Sequence, residues 1–436
     1  LGDVYKRQII VMANVIKLRK GLDINLTGRA QEQMLPVKSS TEYALVPDDF
    51  PGLTPKVTVR EGDHVRAGDP LFVDKGCTEV SFASPVSGTV TAVERGERRK
   101  VLRVKIAADA QQEYADFGVK DVAGLSADDV KASLLQAGLF GYINQPYAVA
   151  TRPDTEPKAI FVSALRDKPL QGDFEFELNG QEKDFQTGLT ALAKIAKVYL
   201  GIGAKQSASA LTGAKDVEVT VFDGPCPAGN VGVQVNHIDP VNKGEVVWTV
   251  DPTAVIFFGR LFNTGKVNIT RRVAIAGSMV KQTGYVDALV GTPLKQILAD
   301  NIADGCNVRI LNGNPLTGVI ANEASVLGAH TSEVTLIPEG DDVHEIFGWM
   351  LPRFKDFSTS RSYFTWLQGK KAYNLDARLK GGERHMIMSG EYDRVLPMDI
   401  YSEYLIKSII SGNIDSQEQL GIYEVSPEAV SYTHLT

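Results

Sequence analysis

The chain has 436 residues, 43% of them apolar, and a formal net charge of −7. A chain of this length holds about two to four domains with sizeable cores, no segment approaches the ~18 consecutive apolar residues of a membrane helix, and no basic block is long enough to read as a nucleic-acid surface. Three dispersed cysteines, Cys77, Cys226 and Cys306, share no C-x-x-C spacing, which argues against a cysteine zinc site or iron–sulfur cluster and, with no secretory h-region, fits a soluble protein of a reducing cytoplasm.

Both ends read as foreign. Residues 1–11, "LGDVYKRQIIV", continue no pattern before Met12, and 431–436, "SYTHLT", break off abruptly after Val430. Met12 is therefore expected to be the natural start, and the true C-terminus is expected to be missing. From 12 to 109 nearly every run is strand-like and alternating, as in "KVTVREGDHV", "DPLFVDKG", "EVSFASPV" and "GTVTAVERG". Gly, Pro and Asp turns punctuate these runs, the cadence of a small barrel-sandwich hybrid of the biotinyl/lipoyl-like kind.

A helix follows at 126–139, with Ser126 as N-cap and Asp128 and Asp129 in its first turn. It runs into an aromatic loop, "GLFGYINQPY" (138–147). Strand and helix signals then alternate, giving 126–258 the pattern of a Rossmann-like α/β middle domain. The apolar run "AVIFFGRLF" (254–262) is short and interrupted by Arg260. Two strands and a helix starting near Thr292-Pro293 predict a β-grasp module over 270–312. An α+β C-terminal region fills 313–430, with helical signals returning over 398–421. The fold class is thus a multidomain α/β protein.

Four features carry candidate chemistry. Lys75 lies in "LFVDKGCTEVSFASPVSG", which has the look of a carrier-domain hairpin. A carrier lysine must sit at a symmetric tip, yet Lys75 lies four steps after Leu71 and nine before Ser84. The biotinyl Met-Lys-Met is absent, so the stretch predicts the fold and an unmodified surface lysine, with a lipoylated or biotinylated carrier as the rival. The glycine-rich turn "DGPCPAGNVGVQVNHIDP" (223–240) could cradle a phosphate or flavin through backbone N–H groups. It matches neither G-x-G-x-x-G nor the P-loop pattern, and its prolines remove donors. A structural loop is expected there, with Gly229 and Asn230 at positive φ and His237 in a strand-like setting, and a self-sufficient flavoenzyme as the rival. The six histidines show no metal-ligand spacing. The aromatic loop gathers Phe140, Tyr142 and Tyr147 beside polar amides, faces that a planar quinone head would want; packing between two domains is the other reading.

The order of the segments carries a resemblance. "IKLRKGLDINLTG", "VTVREGDHVRAGDPLFVDK", "GPCPAGNVGVQVNHIDPV", "VAIAGSMVKQTGYVDALVGTPLKQIL" and "YDRVLPMDIYSEYLIKSIISGN" together resemble the A subunits of the Na+-translocating NADH:quinone reductases (Na+-NQR), from Met12 to about Ala429. The same order is similar to the flavin subunit of respiratory complex I and to the C subunit of the Rnf complex. The resemblance implies an unmodified barrel-sandwich hybrid, a Rossmann-like domain, a soluble-ligand-binding β-grasp (SLBB-like) module and a C-terminal region. It also implies a peripheral subunit on the cytoplasmic side of the bacterial inner membrane, reaching the membrane through five partner subunits. NADH, flavins and the Na+ path would belong to those partners. This subunit would bind no cofactor, is not catalytic alone, and would serve the end that reduces ubiquinone or menaquinone.

Overall fold

The computed structural model describes residues 14–146, 149–341, 353–358, 363–369, 371–378 and 387–425. The chain opens with β1 (Asn14–Lys17), and this strand leaves the barrel to which its sequence pattern assigned it. It pairs in parallel with a strand of the middle domain, Asn14 opposite Thr220 and Lys17 opposite Asp223. Four extended residues carry no signal of which sheet they will join, so the partner is set by tertiary pairing.

The barrel-sandwich is built from β2 (Glu42–Leu45), β3 (Pro55–Val57), β4 (His64–Val65), β5 (Pro70–Asp74), β6 (Ser81–Ala83), β7 (Gly88–Arg95) and β8 (Val101–Ala108). They form a four-stranded sheet in the order β2-β8-β7-β4 and a three-stranded sheet in the order β3-β5-β6. Alternation sends Val90 of β7 and Val104 and Ile106 of β8 inward, and Leu71 and Phe72 of β5, adjacent in sequence beside a register irregularity in the β5–β6 pairing, are both buried as well.

The middle domain begins with α1 (Ala127–Gln136). Its start has the Ser126 N-cap read from sequence, and Asp129 completes it as a capping box: Ser126 Oγ accepts from Asp129 N at 3.2 Å, and Asp129 Oδ2 accepts from Ser126 N at 3.1 Å. Then follow β9 (Ile143–Asn144), β10 (Ala159–Ser163), α2 (Phe174–Leu178), α3 (Glu182–Ile195), β11 (Val198–Gly203), β12 (Glu218–Asp223), α4 (Val231–Ile238), β13 (Val247–Val250) and α5 (Pro252–Thr264). The sheet runs β1-β12-β11-β10-β13-β9, parallel except for β9. From β10 the chain winds outward to β11 and β12, then returns to place β13 on the other side of β10. The C-terminal ends of β10 and β13 therefore flank a topological switch point, where open α/β sheets leave a crevice.

The β-grasp module comprises β14 (Thr270–Ala276), β15 (Gly284–Leu289), the one-turn α6 (Leu294–Ile297), β16 (Val308–Asn312), β17 (Val319–Ala321) and β18 (Glu333–Pro338). β18 lies between β14 and β16 in the sheet order β15-β14-β18-β16-β17. The sheet thus continues past 312, because its central strand comes last in sequence. Three short helices follow: α7 (Glu391–Val395), ahead of the predicted helical run, and α8 (Ser402–Ile410) and α9 (Ile414–Gln419), within it. Leu396, Met398, Leu405 and Ile422 pack there against Leu18, Phe222 and Val233.

Candidate functional site

At the switch point lies a cavity of about 610 Å³, within the range of small-ligand sites. Three modules wall it. The barrel contributes Asp49 and Pro51, the ends of β10 and β13 contribute Ser163, Leu165 and Asp251, and the β-grasp module contributes Asn314, His330 and Glu333. Asn144, Gln145 and Pro146, the second half of the aromatic loop, complete one side.

Beside this cavity sits a buried ionic cluster. The Arg166 side chain is only 4% exposed; its Nη2 lies 3.1 Å from Glu177 Oε2 and 3.8 Å from Asp251 Oδ2, and donates to Thr253 Oγ1 at 3.0 Å. Neither oxygen of Glu177 has a partner aligned for a hydrogen bond, and the same holds for Arg166 Nε and Nη1. Arg271, from β14, reaches Asp251 Oδ1 at 3.5 Å and donates to the Ala329 carbonyl. Burial pushes the Glu177 carboxyl up to about 8, with Arg166 only partly opposing. It also pushes Asp49 up to about 6, although the Ala329 amide donates to its Oδ2 at 2.8 Å. Asp251 goes the other way: burial works against its charge, but Arg166 and Arg271 together hold it below the usual carboxylate range. The side of the cavity formed by Arg166, Asp251, Asp49 and Glu333 is therefore polar and mixed in charge, and Glu177 behind it retains its proton near neutrality.

Phe140 and Tyr142 do not face the cavity. Phe140 is 0% and Tyr142 3% exposed. Phe140 meets Trp248 edge-on at 5.6 Å. Tyr142 packs between Phe50 of the barrel (5.4 Å), Phe257 of α5 (5.6 Å) and His330 (5.5 Å), and burial drives its phenol well above its ordinary pKa. These two rings support the loop from behind, while the residues that follow them, Asn144 to Pro146, line the cavity. Tyr147 lies outside the described residues.

The glycine-rich turn is a structural loop, but not by the conformation its composition suggests. Neither Gly229 nor Asn230 has positive φ; Asn230 stands at −70°. The reason is that Asn230 caps α4, accepting from Gly232 N at 2.9 Å and Val233 N at 3.3 Å, which requires an extended backbone. Gly229 N donates to the Asp167 carboxylate at 2.7 Å. Donors that a phosphate would need are thus taken up by the chain's own side chains, and the turn does not fit a flavin phosphate. His237 lies on α4 rather than a strand, its Nε2 donating to the Pro397 carbonyl at 2.6 Å. Lys75 is exposed just past β5, in the turn that returns to β6 at Ser81. Among the described residues no group of three or more His, Cys, Asp or Glu could hold a metal, and no helix is long and apolar enough to cross a membrane.

The sequence reading missed Arg166, Glu177, Asp251, Asp49 and Glu333. Each is a single charged residue in an ordinary context, and the five are spread over three modules. The usable signal was positional: Asp251 follows directly on β13, and Arg166 lies three residues past the end of β10, the two strands that flank the switch point.

Comparison with known proteins agrees with this architecture. Family models match residues 16–109 (NqrA N-terminal barrel-sandwich hybrid domain), 125–267 (NqrA second alpha/beta domain) and 272–323 (NQRA C-terminal domain). The chain is 33% identical over 419 residues to the A subunit of the Na(+)-translocating NADH-quinone reductase of Neisseria meningitidis serogroup A, covering 95% of this chain and 93% of that protein. The corresponding A subunit of Actinobacillus pleuropneumoniae serotype 5b is 33% identical over 422 residues at the same coverage. Among solved structures, an NAD+-reducing NiFe hydrogenase matches with a TM-score of 0.36 at 12% identity over 53% of each chain. With its three domain types matched in order and a third of its residues shared along nearly its whole length, the chain belongs to the family of A subunits of the Na(+)-translocating NADH-quinone reductase.

Proposed function

We propose that this chain acts as the A subunit of a complex that oxidises NADH, reduces a quinone and exports Na+, and that it serves the quinone-reducing end as a scaffold and quinone-interaction subunit without being catalytic alone. The names of its relatives support the complex. The cavity at the ends of β10 and β13 supports the quinone end. It has the size of a small-ligand site, apolar lining residues Pro146, Leu165 and Val250, and the polar residues Asn144 and Gln145 in its lining. Phe140 and Tyr142 contribute by holding the 144–146 segment in place, and Tyr147 follows it directly in sequence. In this reading ubiquinone or menaquinone is the substrate, NADH and flavins sit on the other five subunits, and the chain is peripheral on the cytoplasmic face of the bacterial inner membrane.

Photolabelling of the assembled complex with a reactive quinone tests the assignment. Labels are expected on this chain at 144–147 or on the cavity walls at Leu165 and Val250, and excess unlabelled quinone should compete them away. Labels confined to other subunits would remove the quinone role from this chain.

A further inference from the structure

The hairpin joining β7 to β8 turns through Glu97, Arg98, Arg99 and Lys100. Lys100 N donates to Glu97 O at 3.1 Å, and Gly96 N to Lys100 O at 2.8 Å. Arg98 (φ 53°, ψ 27°) and Arg99 (φ 61°) both lie in the left-handed region. A tight turn of this hand suits the right-handed twist of the flanking strands, but the residues that adopt it without penalty are Asn and Gly. Two consecutive arginines lose stability there, because each Cβ crowds the following carbonyl.

Among the described residues the turn's one side-chain hydrogen bond is from Arg95 Nη1 to the Arg99 carbonyl at 3.2 Å, and it leaves the charge of the tip uncompensated. Residues 94–105 carry six cationic side chains against two carboxylates. Glu94 is held between Arg103 and Lys105, each at 2.5 Å, and Lys100 reaches Asp48 at 2.6 Å. Arg98 and Arg99 are exposed, and among the described residues neither guanidinium has an ion-pair partner. Leu102 lies beside them, packed under Gly96, and stays 42% exposed on the outer face of β8.

We propose that this hairpin tip is a contact for an anionic phospholipid surface. Guanidinium groups match phosphate oxygens in a planar, two-donor geometry. Charge alone would fit an acidic protein equally well. The exposed leucine beside the arginines adds the apolar foothold that a headgroup region accepts. The chain as a whole carries −7, so an anionic bilayer repels most of its surface and a small basic tip decides which end approaches. This assignment is independent of what occupies the cavity.

The test uses the full chain and phosphatidylcholine vesicles made with or without phosphatidylglycerol. The variant combines Arg98→Asn with Arg99→Gly, which installs the residues the turn prefers, so loss of fold cannot imitate loss of binding. The wild type is expected to sediment with the anionic vesicles only and to be released by salt. The variant should partition roughly 30-fold more weakly, as expected for two cations fewer at the surface, while melting at or above the wild-type temperature. Wild-type protein that ignores anionic vesicles, or a variant that binds them equally well, overturns the proposal. Absence of vesicle binding together with capture by an acidic protein would reassign the tip to such a partner.

Discussion

Glu177 shows what a buried carboxyl does when its nearest cation is shared. Arg166 lies 3.1 Å away but also faces Asp251, so desolvation wins at Glu177 and its titration moves up to about 8. The consequence for stability has a definite sign. Below the unfolded value, near 4.5, both states hold the proton. Raising the pH ionises the unfolded chain first, so the stabilisation from folded-state protonation is lost progressively until about pH 8. Glu177→Gln cannot ionise and should lack that slope: in melts from about pH 5 to about pH 9 the variant gains on the wild type, and parallel curves would contradict the account. None of this was legible in the sequence, where Glu177 is one of 53 acidic residues. Tyr142 was legible as an aromatic of consequence, but its consequence is packing. A side chain's neighbours across three modules are not encoded by its neighbours in the chain.

At the scale of elements, local signals served well wherever the physics was local. The cap of α1, the strand alternation of the barrel and the return of helix after 398 follow from capping and periodicity. The placement of β1 and β18 did not, since a short extended run says nothing about its partner. The crossing of α3 and α5 lies between these cases. Both helices carry an interior glycine, Gly188 and Gly259, which their helical patterns would disfavour. The structure supplies the reason. A Cβ on Gly188 would lie 2.0 Å from Val255 O, and one on Gly259 would lie 1.7 Å from Asp184 O. The glycines let two helix backbones touch. Gly188→Ala should gain up to ~1 kcal/mol of helix propensity and lose ~1–3 kcal/mol or more to overpacking, so the net effect is destabilising. Gly124→Ala is the control, because a Cβ there meets nothing within 4 Å. Urea unfolding of the two variants reads the difference directly, and a Gly188→Ala protein as stable as the control would refute the close-contact reading.

Across the whole molecule, the order of modules was legible from the succession of periods, and their mutual packing was not. The barrel and the middle domain share one continuous core that runs from Leu71, Phe72 and Phe82 through Phe140 and Tyr142 to Phe257 and Phe262. The β-grasp sheet keeps a second core around Val273, Val286 and Leu336. Phe50 is the hinge of the shared core: its ring centroid lies 4.4 Å from Phe82, 5.4 Å from Tyr142 and 5.6 Å from His330. A carrier-type barrel that worked as a swinging unit would be tethered loosely and would unfold by itself. This one shares its core with its neighbour. Phe50→Ala should therefore cost ~3–5 kcal/mol, and the loss should be felt equally on both sides of the interface. Native-state hydrogen exchange resolves the question, because amides of β7 and of β11 would lose protection by the same amount if the two modules open as one unit. Loss confined to β7, with β11 unchanged, would mean that the barrel opens alone and that the continuous core does not bind the two domains into one cooperative body.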